Sequence, residues 1–260
     1  VASSGATLVA VHDWQSSAAR NNAAWCDALC RSHGIGGRWH PDCWVSEAPP
    51  PPGYPDAITL GRDVTADELL ARVPRLDSRP GCSIKDSFAS LDLIRHGFEV
   101  LFPAAWIAHD AGPGAPSGTA GLLDWMIVAS DDELAAWEAA WCATSSDAVP
   151  PEARIFPPAL LMDDDVTITA AHDPHGRVVA GAVLNRGGGV VGVSNVFDVR
   201  DPEVDDAGVG LDVWRGCLAS AATIAPGAGV VGYELADDVG PALDAGFREV
   251  GLLRVWIRDG

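Results

Sequence analysis

Residues 166–198 constrain the fold most. Three runs of alternating small and branched apolar residues, Val166 to His172, Arg177 to Asn185 and Val190 to Asp198, are separated by Pro174-His175-Gly176 and Gly187-Gly188-Gly189. Glycine adopts positive φ at no steric cost, so turns this short join antiparallel neighbours. The stretch predicts a three-stranded meander that needs cover on its faces. The segments around it supply that cover. Leu122 to Val128 reads as a strand, and Asp131 and Asp132 open a helix through Trp141 with Leu134, Trp137 and Trp141 on one face. Residues 143–160 hold four prolines and read as a loop with room for a short helical turn. A helix from about Gly210 to Ile224, a strand Val230 to Glu234, a helix Asp237 to Ala245 and a strand Val250 to Arg258 complete the pattern.

The first part of the chain is less regular. Residues 13–33 predict a helix, with Trp14, Ala18, Trp25 and Leu29 near helical spacing and Gly34 as its stop. Gly34 to Tyr54 reads as loop, stiffened by Pro49 to Pro52. Asp56 to Leu60 and Cys82 to Lys85 are short strand candidates. Thr65 caps a helix through about Val73, and Glu68 completes a capping-box pattern. Ser87 to Arg95 reads as helix ending at Gly97, followed by a strand Phe98 to His109. Residues 111–121, rich in Gly, Pro, Ala and Ser, then read as a linker between 1–110 and 122–260. The two parts share an ending of strand, helix, Gly-Phe, strand with Trp-Ile: Gly97-Phe98 before Trp106-Ile107, and Gly246-Phe247 before Trp256-Ile257. That shared order suggests a tandem repeat. Coincidence is the alternative, since glycine often follows a helix.

Charge narrows the partners. The 36 acidic and 17 basic residues leave a net charge of −19, which disfavours nucleic acid and anionic membrane surfaces. With 48 % hydrophobic and 20 % charged residues the chain should pack as a globule. No apolar run reaches the ~18 residues of a membrane span, and Val1 to Val11 has no basic residue ahead of its apolar stretch, so a cytoplasmic protein is expected. Lys85 is the one lysine; together with the many Ala and Gly, the arginine bias points to a GC-rich bacterial genome. Cys26, Cys30, Cys43, Cys82, Cys142 and Cys217 read as mostly reduced, buried thiols. Cys26, Cys30 and His33 share a helix face, with His40 and Cys43 close behind, which leaves a zinc-stabilised scaffold open as an alternative, although paired C-x-x-C knuckles are missing. There is no G-x-S-x-G elbow of an acyl hydrolase, and Gly187 to Gly189 lacks the Lys-Ser or Lys-Thr of a phosphate loop.

The order of elements over 122–258 resembles the GNAT superfamily of N-acyltransferases. Val230-Val231-Gly232-Tyr233-Glu234, Ala242-Leu243-Asp244-Ala245-Gly246-Phe247 and Leu253-Arg254-Val255-Trp256 carry most of it. The resemblance implies an α/β (α+β) fold, a GNAT-like mixed and mostly antiparallel sheet flanked by helices, with 1–110 a diverged partial copy and 122–260 the acyltransferase module. It implies acetyl-CoA or another acyl-CoA as co-substrate and a small-molecule or peptide amine as acceptor. In that family two middle strands splay apart to admit the pantetheine arm, and the pyrophosphate sits on the next helix N-terminus. The implied cofactor residues are Val196, Phe197, Arg200, Gly208, Val209 and Gly210, with Ser194 and Asn195 near the acyl group and acceptor. The family's basic or amide position is Asp205 here, among Asp201, Glu203, Asp206 and Asp212, so the loop reads either as a phosphate site with Arg200 and Arg215 as partial offsets or as an acidic helix start without ligand. The family's acid Tyr corresponds to Ala242. Tyr233 is a substitute acid or a core residue, and Glu234 a general base or a solvated carboxylate. Asp163-Asp164-Asp165 reads as a site for a cationic amine or as a solvated loop. The alternative to a transferase is a catalytically degenerate module binding a small ligand or a protein partner.

Overall fold

The computed structural model describes residues 12–74, 81–110, 123–144, 154–199 and 209–258. In chain order its elements are α1 (Trp14–Ser32), β1 (Gly37–Trp39), β2 (Cys43–Ser46), β3 (Ala57–Thr59), α2 (Ala66–Leu70), β4 (Cys82–Asp86), β5 (Glu99–His109), β6 (Asp124–Ile127) and α3 (Asp131–Thr144). The meander β7 (Val166–His172), β8 (Val178–Gly187) and β9 (Val190–Asp198) follows, then α4 (Val209–Ile224), β10 (Val230–Glu234), α5 (Gly240–Asp244) and β11 (Arg248–Arg258). The eleven strands make one sheet in the order β1-β2-β3-β4-β11-β5-β10-β9-β8-β7-β6. Pairing is antiparallel except at β3–β4 and β9–β10. This is the mixed, mostly antiparallel sheet flanked by helices that the family resemblance implies.

The order has a symmetry that the sequence does not reveal. From one edge, β1, β2, β3, β4 and β11 run inward. From the other, after β6, come β7, β8, β9, β10 and β5. Each part thus ends in a strand that crosses over: β5 pairs with β10, and β11 pairs with β4. The two crossing strands pair with each other over most of their length. Residues 111–121, read as the linker, lie outside the described residues.

α1 lies across the centre of the sheet, and this explains its composition. Asp13 caps it by accepting from the Ser16 amide (3.1 Å), and Gly34 at φ +73° turns the chain away. Its apolar residues Ala18, Ala19, Ala23, Trp25 and Leu29 are fully buried. Its buried polar residues bond the strands beneath. Gln15 Nε2 donates to the Ser87 and Leu252 carbonyls (3.0 Å each), and Asn21 Nδ2 donates to the Asn185 and Gly187 carbonyls (3.1 Å each). A buried amide without partners would cost a few kcal/mol, so these bonds set where the helix sits. α3 packs on the same face through Leu134 and Trp137, while α4 and α5 cover the opposite face through Val213, Cys217 and Ala242.

Two expectations fail. Gly34 to Tyr54 is not all loop, because β1 and β2 form a hairpin with Trp39 opposite Trp44. Ser87 to Arg95 is no α-helix. The Asp86 carboxylate accepts from the Leu91 amide (2.9 Å) and Ala89 takes φ +51°, so the chain folds around a side chain, and only Ile94–His96 forms a 3₁₀ turn.

Candidate functional site

β9 and β10 pair in parallel only at Val191 with Val230 and Gly192 with Val231. Beyond that point they part, and a cavity of about 330 Å³ opens between Val193–Val196 on one side and Tyr233–Glu234 on the other. The cause is local. On β8, Gly181 faces Phe197 and Val183 faces Ser194, so Ala182 alone stands against Asn195 and Val196. That is a β-bulge, and Asn195 takes the left-handed conformation at φ +53°. Asparagine tolerates this region better than most residues. The bulge bends β9 away from β10. The Asn195 side chain is fixed from across the cavity, where the Tyr54 hydroxyl donates to its Oδ1 (3.1 Å).

Of the site residues expected from sequence, Ser194, Asn195, Val196, Tyr233 and Glu234 line this cavity together. Phe197 does not: its ring packs edge-on against Trp137 with centroids 5.3 Å apart, so only its main chain is near the site. Arg200 and Gly208 lie outside the described residues, as does the acidic stretch between them, and of Val209 only the backbone is described. Gly210 has a packing reason as well, since a Cβ there would stand 2.9 Å from the Pro241 ring of α5.

Glu234 and Tyr233 point to opposite faces, as neighbours on a strand do. Glu234 lies on the α4 side, where its charge bears on the buried Cys217 thiol. Burial first, and the Asp238 charge second, push the Glu234 carboxyl up to about 8 from an ordinary value of 4.5. Tyr233 lies on the α1 side, its ring edge-on to Trp106 (5.6 Å) and beneath the Lys85 ammonium (4.2 Å to the centroid). The first part of the chain supplies most of the remaining α1-side wall, Trp25 and Cys26 from α1 with Tyr54 and Lys85, and Trp141 of α3 joins them. Burial holds the Tyr54 hydroxyl well above its ordinary range and pushes the Cys26 thiol up to about 12, so both stay neutral near pH 7. Sequence reasoning did not place Tyr54 or Lys85 at the site. The one usable signal was a lone lysine in a strand that is otherwise short and mostly buried.

Other expected groupings do not assemble. His33 Nε2 donates to the Ile155 carbonyl (2.8 Å), Cys30 contacts Ser46 Oγ (4.0 Å), and Cys43 accepts from Arg72 (3.0 Å). Among the described residues, no group of three or more His, Cys, Asp or Glu is placed to hold a metal ion. Asp163 pairs with Arg31 (3.0 Å) and Asp165 with Arg186 (3.2 Å), and neither lines the cavity, so the acidic run is tied to arginines. No helix among the described residues is long and apolar enough to cross a membrane.

A carboxyl that changes charge near neutrality, beside a bulged strand in a gap of the sheet, can take a proton from a nucleophile held there. No protein-family model and no curated protein matches the chain. Solved structures do. A GCN5-related N-acetyltransferase from Kribbella flavida superposes with a TM-score of 0.60 at 19 % identity, over 94 % of this chain and 96 % of that one. One from Sphaerobacter thermophilus gives 0.51 at 13 % identity over 94 % and 93 %. A tandem GNAT protein from the clavulanic acid biosynthesis pathway gives 0.51 at 12 % identity over 92 % and 94 %. At these identities the likeness is one of fold alone: the chain shares the architecture of the GCN5-related N-acetyltransferase structures.

Proposed function

We propose that the chain is a tandem-module N-acyltransferase that moves an acetyl or other acyl group from acyl-CoA to an amine by direct attack. The observation that carries this reading is the gap between β9 and β10 with the Glu234 carboxyl at its edge. The main chain of the bulge at Ser194–Val196 is not paired to β10 and is available to the acyl-CoA arm and the thioester carbonyl. The Glu234 carboxylate takes a proton from the acceptor's ammonium group and frees the amine lone pair. The amine nitrogen then forms the new C–N bond at the thioester carbon, the C–S bond breaks, and the proton that the nitrogen sheds passes to the departing CoA thiolate, with Tyr233 of the cavity lining as the proposed relay. The family likeness puts the cofactor phosphates at Gly208, Val209 and Gly210 of the sequence, where α4 begins at Val209, with Arg200 and Arg215 as the basic residues of that stretch of sequence.

The reaction needs Glu234 ionised, so the rate should rise with pH and level off above about 8. The test is calorimetry with acetyl-CoA. Millimolar or tighter binding is expected, weakened at least about tenfold by Gly208→Glu, which would place an anion on the phosphate site. No heat at millimolar acetyl-CoA would remove the support for a transferase. The degenerate binding module would then be the better reading, and the acidic residues 201–206 are what favour it.

A further inference from the structure

The α1-side wall of the cavity holds a charge that the transferase reading does not use. Lys85 is 4 % exposed and lines the cavity. Its ammonium has two contacts among the described residues: it donates to Asn22 Oδ1 (2.9 Å) and lies over the Tyr233 ring. Neither is an anion. An ammonium offers three donors, and a buried cation without a counter-charge is costly unless something satisfies it. Cation–π contact and one amide carbonyl offset only part of that cost. Asn22 is itself buried on α1, so the lysine is held in place and cannot swing out to solvent. The cavity therefore has two poles. One is the Glu234 carboxyl on the α4 side. The other is a buried cation on the α1 side that has no counter-charge among the described residues, with Trp25 and Tyr54 beside it on the same wall.

We infer that Lys85 is a specificity-determining residue that receives the carboxylate of the acceptor, so that the acceptor is an amine bearing a carboxylate, an amino acid or close analogue. This rests on the proposed transferase reading for the role of the amine, but not for the binding of the acid. The carboxylate accepts from the free donors of Lys85, and the amine lies toward the gap where Glu234 waits. The cationic pole comes from β4, so the first part of the chain selects the substrate that the second part modifies.

The lone lysine makes a direct test possible. Protein grown with ¹³C-labelled lysine gives a single lysine Cε signal. It is titrated without acyl-CoA with matched pairs: phenylalanine and phenethylamine, leucine and isopentylamine, γ-aminobutyrate and butylamine. In at least one pair the acid should move the signal saturably and bind at least about tenfold more tightly than its amine, a difference of about 1.4 kcal/mol. Lys85→Met, which keeps the alkyl volume, should abolish that preference in calorimetry. Should the variant fail to fold, the wild-type titration decides alone. A signal unmoved by all three acids at about 10 mM, well above a millimolar Kd, overturns the inference, as does an equal response to both members of every pair. Acetylation of Lys85 itself on addition of acetyl-CoA also overturns it. Since no cofactor is present in the titration, absence of acyl transfer would sink the enzyme reading and leave this result standing.

Discussion

Replacing Glu234 by Gln should make the protein more stable, and increasingly so as pH rises. Gln keeps the shape of the protonated acid and cannot ionise. In the wild type the folded chain holds the Glu234 proton up to about pH 8, whereas in the unfolded chain the group ionises near 4.5. Between those values the folded state binds the proton and the unfolded state does not. The stability this gives is fully present below the unfolded value and is lost as pH rises through the folded one. Each pH unit in the window is worth about 1.36 kcal/mol. From pH 6 to pH 9 the wild type should lose about 2–3 kcal/mol relative to Glu234→Gln, less if water relaxes around the half-buried side chain. Urea unfolding of both proteins at each pH measures this, and subtraction cancels every other titrating group. Two curves that stay parallel from pH 6 to pH 9 would show that the carboxyl titrates normally, and the proposed base would lose the tuning that singles it out.

Three further outcomes follow from packing. Gly192→Ala places a methyl into the side chains of Asn21 and Asn185 and should cost about 2–3 kcal/mol, read as a lower urea midpoint. Asn195→Val forces a β-branched residue into the left-handed region and removes the acceptor of the Tyr54 hydroxyl, so a loss of about 1–3 kcal/mol is expected, with Asn195→Gly recovering the backbone part. Of the six cysteines only Cys142 is not buried, so a thiol reagent near pH 8 should label about one thiol quickly in the native protein and the other five only in denaturant; fast labelling of two or more contradicts the burial.

Local pattern made the second part of the chain legible. The meander consists of long runs of small and branched apolar residues set off by glycine turns, and the run Val230 to Glu234 is bounded as the sequence reads it. The capping box at Thr65 and Glu68 forms, because both bonds lie within one helical turn. The β1–β2 hairpin was hidden since its strands are short, β2 is buried on both faces, and Trp39 in β1 is half-exposed, so neither alternates. Strand order was beyond reach, since which strand neighbours β5 depends on contacts far apart in the chain. The cavity was half legible for the same reason. Ser194, Asn195, Tyr233 and Glu234 sit on two strands whose pairing the family likeness implies, whereas Tyr54 and Lys85 arrive there through the crossing of β5 and β11.

That crossing makes the protein indivisible in one sense and separable in another. A fragment ending at residue 110 would carry β5 away from both of its hydrogen-bonding neighbours, and a fragment starting at residue 123 would do the same to β11. Neither piece can close its own sheet, so each alone should aggregate through bare edges. Made together, the same two pieces hold complementary edges and should reassemble by fragment complementation, with the two closing strands acting as the clasp.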